Sequence, residues 1–230
     1  MSSSVRTGVV AAVVVALGLG LAGCGSDTET ESTETAAETT TTTTEEATPT
    51  TSAQAAGPHY TIVDYIRDNE ITEEPVKRGA PGAPAINLPM PPGWADAGAN
   101  APEWAYGAIL FTDPAMASDP PTIVALMSKL TGNVDPDKIL EFAPGEIQNL
   151  PEYEGADKGE PSELGGFDAV QLGGLYVRDG VRRAIAQKTV VIPGADGLYV
   201  LQLNADGLED QLDVLMDATN VIDEQTTITP

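Results

Sequence analysis

The chain has a single cysteine, a single histidine, few aromatics and few basic residues, and each scarcity closes off a class of chemistry. With Cys24 alone no intramolecular disulfide can form, so a packed core must hold the fold unaided. The one histidine, His59, stands next to a proline where a low-complexity stretch ends. A Ser/His/Asp or Cys/His nucleophile system therefore has no histidine set within a folded element. A zinc site needs several Cys or His ligands, which the chain does not offer, so neither a metal nor a cofactor is expected. Residues 58–230 hold 28 acidic against 10 basic residues, a net charge of −18 that repels nucleic acid. No glycine-rich segment has the spacing and Lys-Ser/Thr ending of a phosphate-binding loop.

What is present at the amino terminus is an export signal. Arg6 precedes an apolar run over 8–20 that is too short to span a bilayer comfortably, and Leu21-Ala22-Gly23-Cys24 follows. A lone cysteine is often just a small buried apolar residue. Cys24, however, lies directly after the signal and ahead of the folded part, the pattern of a lipoprotein cleaved between Gly23 and Cys24. The Cys24 thiolate then takes a diacylglyceryl group and the new amino terminus an acyl chain. At ~0.8 kcal/mol per buried methylene, two or three such chains hold a protein on a membrane essentially for good. The expected location is the outer face of the plasma membrane, within the cell envelope, with a secreted pool as the alternative.

From residue 25 to residue 57 the chain is rich in Thr, Ser, Ala and Glu, with seven acidic and no basic residues. A segment so polar and so uniformly charged reads as an extended, disordered tether with an r.m.s. span of roughly 30 Å or more. The organisation is thus a signal peptide over 1–23, a lipidated tether over 24–57 and a globular domain over 58–230.

In the domain, Thr61 and Asp64 form the ends of a capping box, which predicts a short opening helix with Ile62, Tyr65 and Ile66 on one face. The proline-rich stretch 86–94 predicts an edge strand leaving through a turn. Runs at 106–111 and 122–130 predict strands, the second apolar on both alternating sets and so covered on both faces. Asp135-Pro136 is a helix start, broken at Pro144-Gly145. Three strands at about 166–177, 181–192 and 198–205, joined by Asp-Gly turns, predict a meander. Asp206 and Glu209 resemble a capping box ahead of a final helix with Leu208, Leu212, Leu215, Thr219 and Ile222 as its buried stripe, and a polar tail closes the chain. The order and the short connections indicate an α+β domain, one antiparallel sheet with helices packed on it.

Candidate site residues beyond Cys24 are few. Asn133, Asp135 and Asp137 have the first odd spacings of a calcium loop, but Lys138 replaces its glycine and Pro144 its bidentate glutamate, so the helix-cap reading is preferred. Gly165-Gly166 and Gly173-Gly174 mark bulges or close packing. Trp94, Trp104 and Tyr106 gather among prolines, and exposed they would form a binding surface; the competing reading, that they pack in the core, is favoured. Carboxylates are common enough that a two-carboxylate hydrolase stays open only as a remote alternative.

Several long runs carry a resemblance to a known family: AQAAGP at 53–58, YTI at 60–62, DYIRDN at 64–69, SKLTG at 128–132, AQKTVVIP at 186–193 and NVIDEQTTITP at 220–230. Through them the chain resembles the LpqN-type mycobacterial lipoproteins over about 53–230. The resemblance implies a Mog1/PsbP-like α/β/α sandwich and an adaptor rather than an enzyme. It also implies partners among RND-type exporters of trehalose mycolates or the mycolate glycolipids themselves, with the membrane engaged through the lipid anchor. The alternative that it carries is an effector that binds a host protein such as a ubiquitin ligase. Of these functional features only Cys24 transfers as a specific residue.

Overall fold

The structure, a computed structural model, describes residues 57–230. The signal segment, Gly23, Cys24 and the tether as far as residue 56 lie outside the described residues.

Helix α1 (Ile62–Asp68) opens the domain as its capping box requires, with Thr61 Oγ1 accepting from the Asp64 amide and Asp64 Oδ2 accepting from the Thr61 amide. Strands β1 (Thr72–Pro75), β2 (Ala85–Asn87), β3 (Trp94–Asp96), β4 (Gly107–Phe111) and β5 (Thr122–Thr131) follow. Helix α2 (Pro136–Phe142) starts at the Asp135 cap, whose Oδ1 accepts from the Asp137 amide at 3.0 Å. Pro144 ends α2 and begins a separate short helix, α3 (Pro144–Gln148). Then come β6 (Glu154–Gly155), β7 (Glu160–Leu164), β8 (Phe167–Arg178), β9 (Val181–Gly194), β10 (Gly197–Leu208), α4 (Leu212–Gln225) and β11 (Thr227–Thr229).

Nine strands form one antiparallel sheet in the order β3-β4-β5-β10-β9-β8-β6, with β1 on the far half of β5 and β7 on β8 beside β6. The meander β8-β9-β10 is its centre, and Asp179 and Gly180, both at positive φ, turn β8 into β9. Side chains alternate across the sheet. One set, including Ile123, Met127, Val190, Leu201 and Leu203, packs under Leu215, Ala218 and Ile222 of α4. The opposite set, including Leu130, Val191 and Val200, packs under Ile62 and Tyr65 of α1 and Ile139 of α2. Helices on both faces make this an α/β/α arrangement.

The edge strand expected at 86–94 is β2, which pairs with β11 in a second, two-stranded sheet, and the prolines carry the chain on to Trp94, the first residue of β3 at the edge of the main sheet. Four local expectations are corrected. The supposed polar tail contributes that β11, and Ile228 is buried in the core. Asp206 caps nothing. Strand β10 runs through it, and the side chain of Gln211 accepts from the Leu208 amide ahead of α4 instead. The helix buries Leu215, Ala218 and Ile222 and leaves Leu212 exposed, because the chain enters α4 about one turn later than the sequence pattern places it. Finally, β5 is fully buried only on the Ile123, Ala125 and Met127 side; Val124 and Leu126 opposite are half-buried, since α1 and α2 pack at its Leu130 end.

Candidate functional site: a cavity beneath helix α4

The sheet register sets three small residues side by side. Gly173 on β8 pairs with Ala186 on β9, which pairs with Ala205 on β10. All three lie on the sheet face toward α4, and none carries more than a methyl group, so the sheet surface dips where the helix crosses it and the gap stays unfilled. The result is a cavity of about 340 Å³, walled by Ile123 and Leu203 from the sheet and by Met216, Thr219 and Ile222 from α4. Met216, 54% exposed, stands at its mouth.

The neighbouring row across the sheet is different in character: Gln171 pairs with Lys188, and Lys188 with Leu203. Lys188 is only 8% exposed. Its Nζ donates to Ser162 Oγ on β7 at 2.9 Å and pairs with Asp223 Oδ1 on α4 at 2.8 Å. Glu160 and Asn220 complete the polar end. The site therefore combines a shallow apolar trough with one buried, paired cation at its side. Such a place suits an amphiphile better than it suits a proton-transfer reaction, because a lysine that donates to a carboxylate has no lone pair with which to activate Ser162.

A second polar cluster lies on the other face of the sheet. Buried Arg183 grips Asp119 through two nitrogens, at 2.7 and 3.2 Å, and also pairs with Asp206, which accepts from the Tyr176 hydroxyl. Burial and the Asp206 carboxylate push the Tyr176 hydroxyl up to about 12. These groups are satisfied by one another and tie the loop carrying Asp119 to the sheet.

The aromatic candidates separate. Trp94 and Tyr106, 7% and 6% exposed, are core residues, Trp94 with its ring tilted on Phe111 at 5.7 Å; only Trp104, 42% exposed, reaches the surface. They do not come together as an exposed surface, and none of the three lines the cavity. Lys188, Met216, Asn220 and Asp223 carried no signal in the sequence, which marked Thr219 and Ile222 only as a buried helical stripe and Gly173 only as a bulge or close-packed position. Of the glycine pairs, Gly174 meets the close-packing expectation, since a Cβ there would stand 2.6 Å from the Tyr153 ring. Gly165 and Gly166, both at positive φ, form the β7-β8 turn; Gly165 is also close-packed against Ile228, whereas Gly166 has open space around it. His59 is an exposed residue whose backbone is bracketed by the Asn149 side chain.

Comparison with known proteins bears on the described domain as a whole. Residues 58–229 match the family profile described as "Probable lipoprotein LpqN". The chain is 59% identical over 179 residues to "Lipoprotein LpqN" of Mycobacterium tuberculosis (strain ATCC 25618 / H37Rv), an alignment that covers 77% of each chain. It is also similar to the crystal structure of LpqN described as involved in cell envelope biogenesis of Mycobacterium tuberculosis, with a TM-score of 0.72 and 58% identity over 76% of this chain and 100% of that one.

Proposed function

The chain belongs to the family described as "Probable lipoprotein LpqN", and from that premise we propose that it is a lipid-anchored protein of the cell envelope that acts by binding rather than by catalysis. In this reading it is cleaved between Gly23 and Cys24 and held on the outer face of the plasma membrane by acyl chains on Cys24. It takes one chain of an envelope glycolipid beneath α4 and serves an exporter of the RND type that moves trehalose mycolates. The observation that carries the reading is the cavity: an apolar floor of Gly173, Ala186 and Ala205, a charged side at Lys188 and a mouth at Met216 match the polarity of an amphiphile. At about 340 Å³ it lies near the lower end of the ~300–1,000 Å³ usual for small-molecule sites, room for a single chain rather than a whole multi-chain lipid. The description of the crystallised relative as involved in cell envelope biogenesis supports the compartment.

The test is to crosslink the lipidated protein in native envelope, purify it gently, and analyse both co-isolated proteins and extracted lipid by mass spectrometry. An Ala186→Phe variant, which fills the trough, serves as comparison. Stoichiometric glycolipid with the natural chain, lost from a folded Ala186→Phe protein, together with enrichment of an exporter, is the expected result. Lipid absent from both would remove the cavity from the function, and an absent exporter would remove that partner.

A further inference from the structure

We infer that Lys188 makes the cavity selective for an acyl ester, whose carbonyl oxygen accepts a hydrogen bond from Nζ while the chain lies along the Gly173-Ala186-Ala205 floor. The inference rests on the reading that the cavity holds an acyl chain.

A lysine ammonium carries three N–H donors. Those of Lys188 have two protein acceptors, Ser162 Oγ at 2.9 Å and Asp223 Oδ1 at 2.8 Å, and the third has none among the described residues. The residue is 8% exposed and lines the cavity, so the unused donor is available to whatever occupies that space. Buried donors seek acceptors, and an oxygen on the ligand is the group that completes this one. The register places Lys188 in the row directly beside the floor, so a chain lying over Ala186 brings its polar end to Nζ without leaving the trough.

Charge decides which oxygen. Asp223 already neutralises Lys188, and Glu160 adds a further negative charge to the same lining. A free carboxylate would enter a site whose balance is already negative, in a domain of net charge −18, whereas a neutral ester carbonyl accepts the hydrogen bond without that repulsion. A plain ether or hydrocarbon supplies the chain but no carbonyl acceptor.

The test uses the full lipidated protein in detergent and three ligands of one chain length: monolaurin (the ester), 1-O-dodecylglycerol (the ether) and laurate, each competing against a fluorescent fatty probe. The expected order is ester first, by about tenfold over the ether, the worth of one hydrogen bond to a charged group, with laurate also weaker than the ester. Lys188→Met should abolish the preference for ester over ether and leave ether binding in place. Because Lys188→Met strands Asp223, the double variant Lys188→Met/Asp223→Asn repeats the measurement without an unpaired charge. Equal binding of ester and ether to the natural chain, a preference for laurate, or an ester preference that survives in the double variant would each overturn the role of Lys188 while leaving an acyl-chain cavity intact. Failure of all three ligands to compete would overturn the acyl-chain reading and the inference with it.

Discussion

Glu146, near the start of α3, faces the sheet between two glutamines: Gln202 Nε2 donates to its Oε2 at 2.8 Å and Gln187 Nε2 at 3.1 Å. Burial raises its carboxyl above the ordinary carboxylate range, more than those two hydrogen bonds lower it. A carboxyl raised on folding binds its proton more tightly in the native state, so stability is greatest below its unfolded value and falls as pH rises through the raised value. Glu146→Gln, which keeps an acceptor for both glutamines, should flatten that fall and be the more stable protein at neutral pH. Urea midpoints measured from pH 4 to pH 8 for both proteins check this, and parallel profiles would show that Glu146 does not govern the slope. Thr189 presents a simpler case: it is wholly buried on β9, and its hydroxyl has no hydrogen-bond partner among the described residues. Replacing it with the isosteric valine removes a stranded polar group, and Thr189→Val should add about 1 kcal/mol of stability, read from the same denaturation midpoint. Neither position announces itself in the sequence, because burial of a Glu or a Thr depends on which helix covers it.

Among the elements, those with local chemical signals were legible in advance. Thr61 with Asp64 and Asp135 with Pro136 begin helices because a side-chain oxygen satisfies an otherwise orphan amide in the first turn. The meander β8-β9-β10 was legible from its apolar runs and its Asp-Gly turn. The misread elements are those whose partners lie far away along the chain. Strand β11 exists because Ala85–Asn87 is there to pair with it, and β1 because the far half of β5 is open. The final helix began later than its pattern implied because β10 continues through Asp206, held there by the tertiary contact with Arg183. Strand β11 also leans on the β7-β8 turn: a Cβ at Gly165, where φ is +58°, would meet Ile228 Cγ1 at 2.8 Å, whereas one at Gly166, where φ is +86°, meets nothing within 4 Å. Gly165→Ala should therefore cost about 2 kcal/mol and loosen β11, seen as faster amide exchange at Ile228, while Gly166→Ala should bear only the backbone cost. Equal effects of the two substitutions would mean that the Ile228 contact contributes nothing.

For the whole molecule, a net charge of −18 over residues 58–230 sets a long-range repulsion that the few ion pairs do not cancel. Raising ionic strength from about 10 mM to about 150 mM shortens the screening length from about 30 Å to about 8 Å and should raise the melting temperature; a fall would show that local ion pairs such as Lys188 with Asp223 outweigh the global field. The same charge directs the functional reading away from nucleic acid, while the signal segment ending at Cys24 is what points it to an envelope membrane. Sequence also determined the α+β class, the starts of α1 and α2 and the central hairpins, since capping, turn chemistry and alternating hydrophobicity act between residues a few positions apart. Only the tertiary structure decided the candidate site. Gly173, Ala186 and Ala205 are unremarkable small residues until antiparallel pairing sets them in one row, and Lys188 is an ordinary strand lysine until α4 lies over it with Asp223. Register and layer packing are non-local, so a cavity made by both together is invisible in a linear chain.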